Sequence, residues 1–271
     1  MPILTKGNLH IDYTDEGQGQ PVILVHSSAS GNRQWRALTE DLKDRYRVLA
    51  VNMYGYGKTT VWPGSGSQSL YAQAQLVLAL CEQLEGPIHL VGHSFGGAVA
   101  LRAAMLLGPK VERLVVFEPN PFHLIKQLGP MEVYLETQEM LHHVKCYGAL
   151  RDWAQVAQRF ADYWSGDHAW DNMAGERRAA FAAAIIPSLY EAEALSAEDS
   201  TIDAYRKIAA RTLLMYAAIT RPPVYALVDI FARECPHWTI TRVDEGGHMA
   251  PLTRPDVVNP LIREFLGARE H

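Results

Sequence analysis

A chain of 271 residues, 48% hydrophobic and 20% charged, has room for one large α/β core with or without an inserted subdomain, and its balance excludes a disordered polypeptide. A formal net charge of -5 without a basic run excludes the electrostatic tracking of phosphates, so nucleic acid is not an expected partner. No uncharged apolar stretch reaches the roughly 18 residues that a membrane span needs, and Cys81, Cys146 and Cys235, odd in number and far apart, predict free thiols in a reducing, cytoplasmic compartment rather than a disulfide framework.

The chain opens without the basic and apolar pattern of a signal peptide. Residues 9–14 alternate apolar and polar, which predicts an antiparallel edge strand. The short runs 22–25, 47–51, 88–91 and 114–117 are apolar on both faces, as parallel strands covered by helices must be. Between them, 31–43, 70–84 and 96–107 have helical length and spacing. Repeated strand–helix–strand units imply a parallel sheet with right-handed crossovers. The rhythm breaks at about residue 122, and helical patterns alone (131–143, 151–164 and 176–186) carry the chain to about 205. It resumes with a strand at 212–216, a helix after Pro222 and Pro223, a strand at 238–243 and a helix at 256–266. The predicted organisation is an α/β core in two portions, 1–121 and 206–271, interrupted by a helical cap at 122–205.

Gly92-His93-Ser94-Phe95-Gly96-Gly97 lies between a predicted strand and a predicted helix, the context that gives a G-x-S-x-G motif chemical meaning. Glycines two residues either side of Ser94 leave room for a sharp, strained turn that lifts the hydroxyl above the sheet edge. The helix that follows points its N-terminus at the same place and favours developing negative charge.

A serine hydroxyl needs an adjacent base near neutral pH. Among eleven histidines, His248 follows the last strand in Glu245-Gly246-Gly247-His248-Met249, on a loop that leaves the same sheet edge as Ser94. His93 is expected to point away into the core, and His26 to pack below the site. His142 and His143 face different directions, and neither H-E-x-x-H nor a Cys/His ligand spacing occurs, so no metal is expected. The oxyanion of acyl transfer calls for two preorganised N–H donors. Phe95, just after the nucleophile, is one candidate, and Ser28 in the loop His26-Ser27-Ser28-Ala29-Ser30-Gly31 is the other, with Ser30 expected to cap the next helix. Gly55-Tyr56-Gly57-Lys58-Thr59 ends like a phosphate-binding loop, but Asn52 stands where the first glycine would be required, and Pro63 and Gly64 interrupt any following helix.

These motifs resemble the α/β-hydrolase family, especially its capped, esterase-like members, over nearly the whole chain. The resemblance implies an eight-stranded, mostly parallel sheet with helices on both faces and a lid after the sixth strand. Two positions depart without threatening catalysis: Ser27 stands where a glycine is usual, and Asn52 where an aspartate is usual. A third departure matters more. The family acid usually follows the seventh strand, yet Ala217-Ala218-Ile219-Thr220-Arg221-Pro222 has no carboxylate. Some members place the acid after the sixth strand, which points to Glu118 here, with Asp244 as the alternative. A serine nucleophile excludes the dehalogenase and epoxide hydrolase chemistry of this fold.

The expected function is hydrolysis of a small-to-medium, largely apolar ester through an acyl-enzyme, without a cofactor. Ser27, Trp153 and Trp164 are expected at the substrate pocket. The same machinery acting on a thioester, an amide or a carbon–carbon bond, or in acyl transfer, stays open, as does a non-catalytic ligand-binding protein. The expected partner is a small molecule, and the sequence carries no signal of oligomeric state.

Overall fold

A computed structural model describes residues 2–64 and 66–268; the outermost positions of the expected core portions, 1 and 269–271, lie outside the described residues. The apolar runs of the sequence become the centre of an eight-stranded sheet in the order β1-β2-β4-β3-β5-β6-β7-β8. In chain order, the strands β1 (Ile3–Lys6), β2 (Leu9–Glu16) and β3 (Gln20–Val25) lead to a 3-10 turn, Asn32–Trp35, and helix α1 (Arg36–Leu42). Then come β4 (Tyr46–Val51), α2 (Leu70–Cys81), β5 (Ile88–His93), α3 (Phe95–Leu107) and β6 (Val111–Phe117).

Six helices follow before the next strand: α4 (His123–Leu128), α5 (Met131–Ala149), α6 (Trp153–Ser165), α7 (Gly175–Ala184), α8 (Ser188–Ala197) and α9 (Ile202–Arg206). The sheet is completed by β7 (Arg211–Ala217), α10 (Pro222–Glu234), β8 (Thr239–Val243), α11 (Ala250–Thr253) and α12 (Pro255–Gly267).

From β4 to β8 every pairing is parallel, while β2 pairs antiparallel with β4. The strand expected at the edge is not outermost, because β1 pairs antiparallel outside β2. β1 has only four residues, three of them exposed, so it carries no apolar alternation to announce it. The expected helix at 31–43 begins instead as a 3-10 turn, since Gly31 sits at φ 73, outside helical space. Ser30 does not cap it: the Ser30 hydroxyl lies 2.9 Å from that of Ser27, and the amide of Asn32 donates to Asn52 Oδ1 at 2.7 Å.

Local chemistry marks four other helix starts. The Ser69 hydroxyl accepts from the Ala72 amide to open α2, the Asp152 carboxylate accepts from the Gln155 amide to open α6, and prolines begin α10 and α12. One face of the sheet packs on α1 and α12 through Leu38, Leu42, Val258 and Ile262. The other packs on α2, α3 and α10 through residues such as Leu76, Val99 and Phe231 in a cluster that continues into α5, α6 and α8.

Asn52, just after β4, ties the 3-10 turn to β2, accepting from the Asn32 amide and donating to Asp12 Oδ2 at 3.0 Å. Cys81 and Cys235 are buried, Cys146 is exposed, and all three are free thiols. Among the described residues, no helix is long and apolar enough to cross a membrane.

Candidate active site

Parallel pairing places the carboxyl ends of successive strands side by side. His93 of β5 pairs with Phe117 of β6, and Phe117 with Met215 of β7, so Ser94 and Glu118 leave the sheet as neighbours while β7 runs two residues further, to Ala217. β8 ends next, with Val243 beside Ala217, and its loop carries His248 to the same edge.

Ser94 occupies the turn between β5 and α3 at φ 54 and ψ -120, left-handed space that costs a side-chain-bearing residue on the order of 1–3 kcal/mol. The glycines around it are required by close approach. A Cβ on Gly96 would lie 2.2 Å from the carbonyl oxygen of His26, and one on Gly92 2.4 Å from that of Gly96. The Ser94 amide donates to the Phe117 carbonyl at 2.9 Å, which ties the turn to β6.

His248 Nε2 lies 2.9 Å from Ser94 Oγ, and His248 Nδ1 lies 2.6 Å from Glu118 Oε2. All three side chains are buried. Glu118, also in left-handed space at φ 43, accepts from the Ala217 amide at Oε1 and from the Thr220 hydroxyl at Oε2, both at 2.8 Å. Asp244, the alternative acid, points to solvent and pairs with Arg242 at 2.9 Å. The loop after β7 lacks a carboxylate, but its Thr220 and the last residue of β7, Ala217, supply two donors for the carboxylate that follows β6.

A buried polar chain supports the imidazole from behind. His93 Nε2 lies 2.8 Å from the His248 carbonyl, and its Nδ1 lies 3.1 Å from Gln34 Nε2. Gln34 Oε1 accepts from the Ser27 amide at 3.0 Å and the Ser27 hydroxyl at 2.7 Å. Burial holds His93 well below the ordinary histidine range, and the nearby His248 adds to that depression. A neutral His93 therefore donates through Nε2 to the carbonyl of His248 and accepts from Gln34. His26 also lies below the site, driven to about 4 by burial, and its Nε2 accepts from the Met53 amide at 3.2 Å.

Two residues expected at the pocket lie elsewhere. The Ser27 hydroxyl turns inward to Gln34 and Ser30, and Trp153 packs at the start of α6 against Gly148 of α5. The Trp164 ring stacks on His248 at 3.9 Å between centroids and 25° between planes, and it lines three cavities around the site. One of these, of about 370 Å³, reaches His248, Thr220 and Met249; another, of about 410 Å³, runs from Ser28 past Phe160 and Phe181.

In the loop after β3, the Ser27 amide is taken by Gln34 and the Ala29 amide donates to the Tyr56 hydroxyl at 2.9 Å. Tyr56 in turn donates to Glu191 Oε1 of α8 at 2.8 Å. Burial raises the Glu191 carboxyl to about 7 against the downward pull of the Ser28 and Tyr56 hydroxyls. Sequence reasoning missed Gln34, Tyr56, Thr220 and Glu191, since each matters only through partners distant in the chain.

Residues 22–261 match the model of the alpha/beta hydrolase family. Over 95% of this chain and 94% of the relative, the sequence is 26% identical to an AB hydrolase superfamily protein, YfhM, of Bacillus subtilis. It is 31% identical to the 2-hydroxy-6-oxo-6-(2'-aminophenyl)hexa-2,4-dienoic acid hydrolase of Metapseudomonas resinovorans, but that match spans only 52% of this chain and 51% of the relative. Among solved structures, an alpha/beta hydrolase enzyme from a Medee basin deep-sea metagenome library superposes with a TM-score of 0.81 at 15% identity, covering 100% of this chain and 98% of that one. An esterase from Exiguobacterium antarcticum superposes with a TM-score of 0.77 at 18% identity, covering 96% of each chain. The eight-stranded sheet and the match across most of its length lead to one assignment: this chain belongs to the alpha/beta hydrolase family.

Proposed function

We propose that the chain is a serine hydrolase that cleaves a small-to-medium, largely apolar ester through an acyl-enzyme. The observation that carries this reading is the continuous contact from Ser94 Oγ to His248 (2.9 Å) and from His248 to Glu118 (2.6 Å). In this mechanism His248 removes the Ser94 proton through Nε2 while Ser94 attacks the carbonyl carbon. Glu118 keeps the Nδ1–H tautomer in place and stabilises the imidazolium. The Phe95 and Ser28 amides take the oxyanion, Ser28 being chosen because side chains already occupy the amides on either side of it. The imidazolium then protonates the leaving group and next activates water to free the acid, so no cofactor is required. Residues 122–205 serve as a lid over this edge, and Trp164 is the lid residue that stacks on His248.

Short p-nitrophenyl esters and a fluorophosphonate probe test this reading. Turnover and labelling are expected, and Ser94→Ala should lose labelling and lower kcat by about 10⁶-fold. A wild-type protein that neither labels nor turns over would overturn it. The names of the partial relatives support a second reading, in which the same three residues act at a carbon–carbon bond of a 2-hydroxy-6-oxodienoic acid. A preference for such a diketone over every ester would favour it.

A further inference from the structure

A small cavity beside the site combines an apolar wall with three polar atoms that have no hydrogen-bond partner. It offers about 30 Å³, enough for a group the size of a hydroxyl. Its wall is apolar at Phe122, Met140, Leu141 and Val144. Glu191, Ser188 and Asn120 also line it, and Glu191 Oε2, Ser188 Oγ and Asn120 Oδ1 are buried without a hydrogen-bond partner. The three residues are 2%, 3% and 5% exposed. Unpaired buried polar atoms are costly and uncommon, and three around one space define a receptor for a polar group.

The chemistry of that group follows from the lining. No lysine or arginine borders the cavity, so a carboxylate or phosphate would meet Glu191 without a counter-charge. An ammonium would be buried against a carboxyl whose ionisation burial already opposes. A hydroxyl meets both needs, donating to Glu191 Oε2 or Asn120 Oδ1 and accepting from the Ser188 hydroxyl. Ser28, the proposed oxyanion donor, borders the cavity directly, whereas His248 is screened from it by the Trp164 ring stacked on the imidazole, which puts the cavity on the oxyanion side of the site.

We propose that this cavity is a subsite for a hydroxyl group carried on the acyl part of the substrate. Its placement on the acyl side rests on Ser94 being the nucleophile. The otherwise apolar substrate then has one polar anchor, and the anchor fixes how far the hydroxyl lies from the scissile carbonyl.

Binding to the Ser94→Ala protein, measured by titration calorimetry, tests the subsite without turnover. The probes are methyl alkanoates of graded chain length, each compared with its ω-hydroxy and ω-amino counterparts. At one chain length the hydroxy ester is expected to bind at least about tenfold tighter than the alkyl ester, because a site built to bond a hydroxyl rejects the analogue without it. Adding Ser188→Ala should reduce that preference by about threefold or more, and Glu191→Leu should abolish it. Equal or weaker binding of the hydroxy ester at every length, stronger binding of the amino ester, or a preference that survives both substitutions would overturn the proposal. A retained hydroxyl preference in a protein that hydrolyses no ester would instead count against the catalytic reading alone.

Discussion

Both carboxylate oxygens of Glu118 are occupied, Oε1 by the Ala217 amide and Oε2 by Thr220 and the imidazole of His248. The side chain is held from two neighbouring elements before any substrate arrives, so the tautomer of His248 is set by the folded protein. Glu118→Gln keeps the shape and the Thr220 contact but removes the charge that supports an imidazolium. Its kcat on a p-nitrophenyl ester should fall by about 10³–10⁴-fold, with the circular dichroism spectrum unchanged. Activity equal to wild type would remove Glu118 from the mechanism. Ser94 was legible because its motif is local: a glycine pattern, a strand before it and a helix after it. Glu118 was legible only through resemblance, since no local rule separates a strand-end glutamate facing water from one facing a histidine 130 residues away.

At the level of elements, the central strands were readable because burial on both faces demands unbroken apolar runs, as in β3 (Gln20–Val25) with five of its six residues buried. The helices α4, α8 and α9 were not. Two span only six and five residues, and α8 buries Ser188 and Glu191 beside its alanines and leucine, which blurs the apolar stripe. Glu191 thus obscured the helix that carries it.

The same residue gives α8 a pH signature. With its carboxyl raised to about 7 in the fold from 4.5, the native state holds more protons than the unfolded chain between those values. Stability contributed there is present at low pH and lost as pH rises toward 7. Glu191→Gln retains an acceptor for Tyr56 without the ionisation. It should therefore stabilise the protein by roughly 1–3 kcal/mol at pH 8, and by much less at pH 5, in urea unfolding. Equal effects at the two pH values would contradict the assignment.

Across the whole molecule the buried histidines work in the opposite direction. Burial lowers His26 and His89 to about 4 and His93 well below its usual value of 6.5. Below 6.5 the unfolded chain takes up protons that the native state refuses, so stability is complete above that pH and declines toward 4. Each histidine contributes a slope of up to about 1.4 kcal/mol per pH unit, partly offset by Glu191. Urea unfolding at pH 7 and pH 5 should show a net loss of roughly 2–4 kcal/mol at the lower pH. A flat profile would mean that these imidazoles find protons inside the fold.

The loop after β8 is the last of the sheet's connections to form along the chain, and it alone brings the imidazole. During synthesis the alcohol and the acid are made first, and neither has its imidazole partner until the final strand docks. A ribosome-bound or truncated polypeptide that stops short of residue 248 therefore lacks the base that the proposed reaction requires, and the Ser94–His248 contact is a clock that strikes only when the far edge of the sheet has docked.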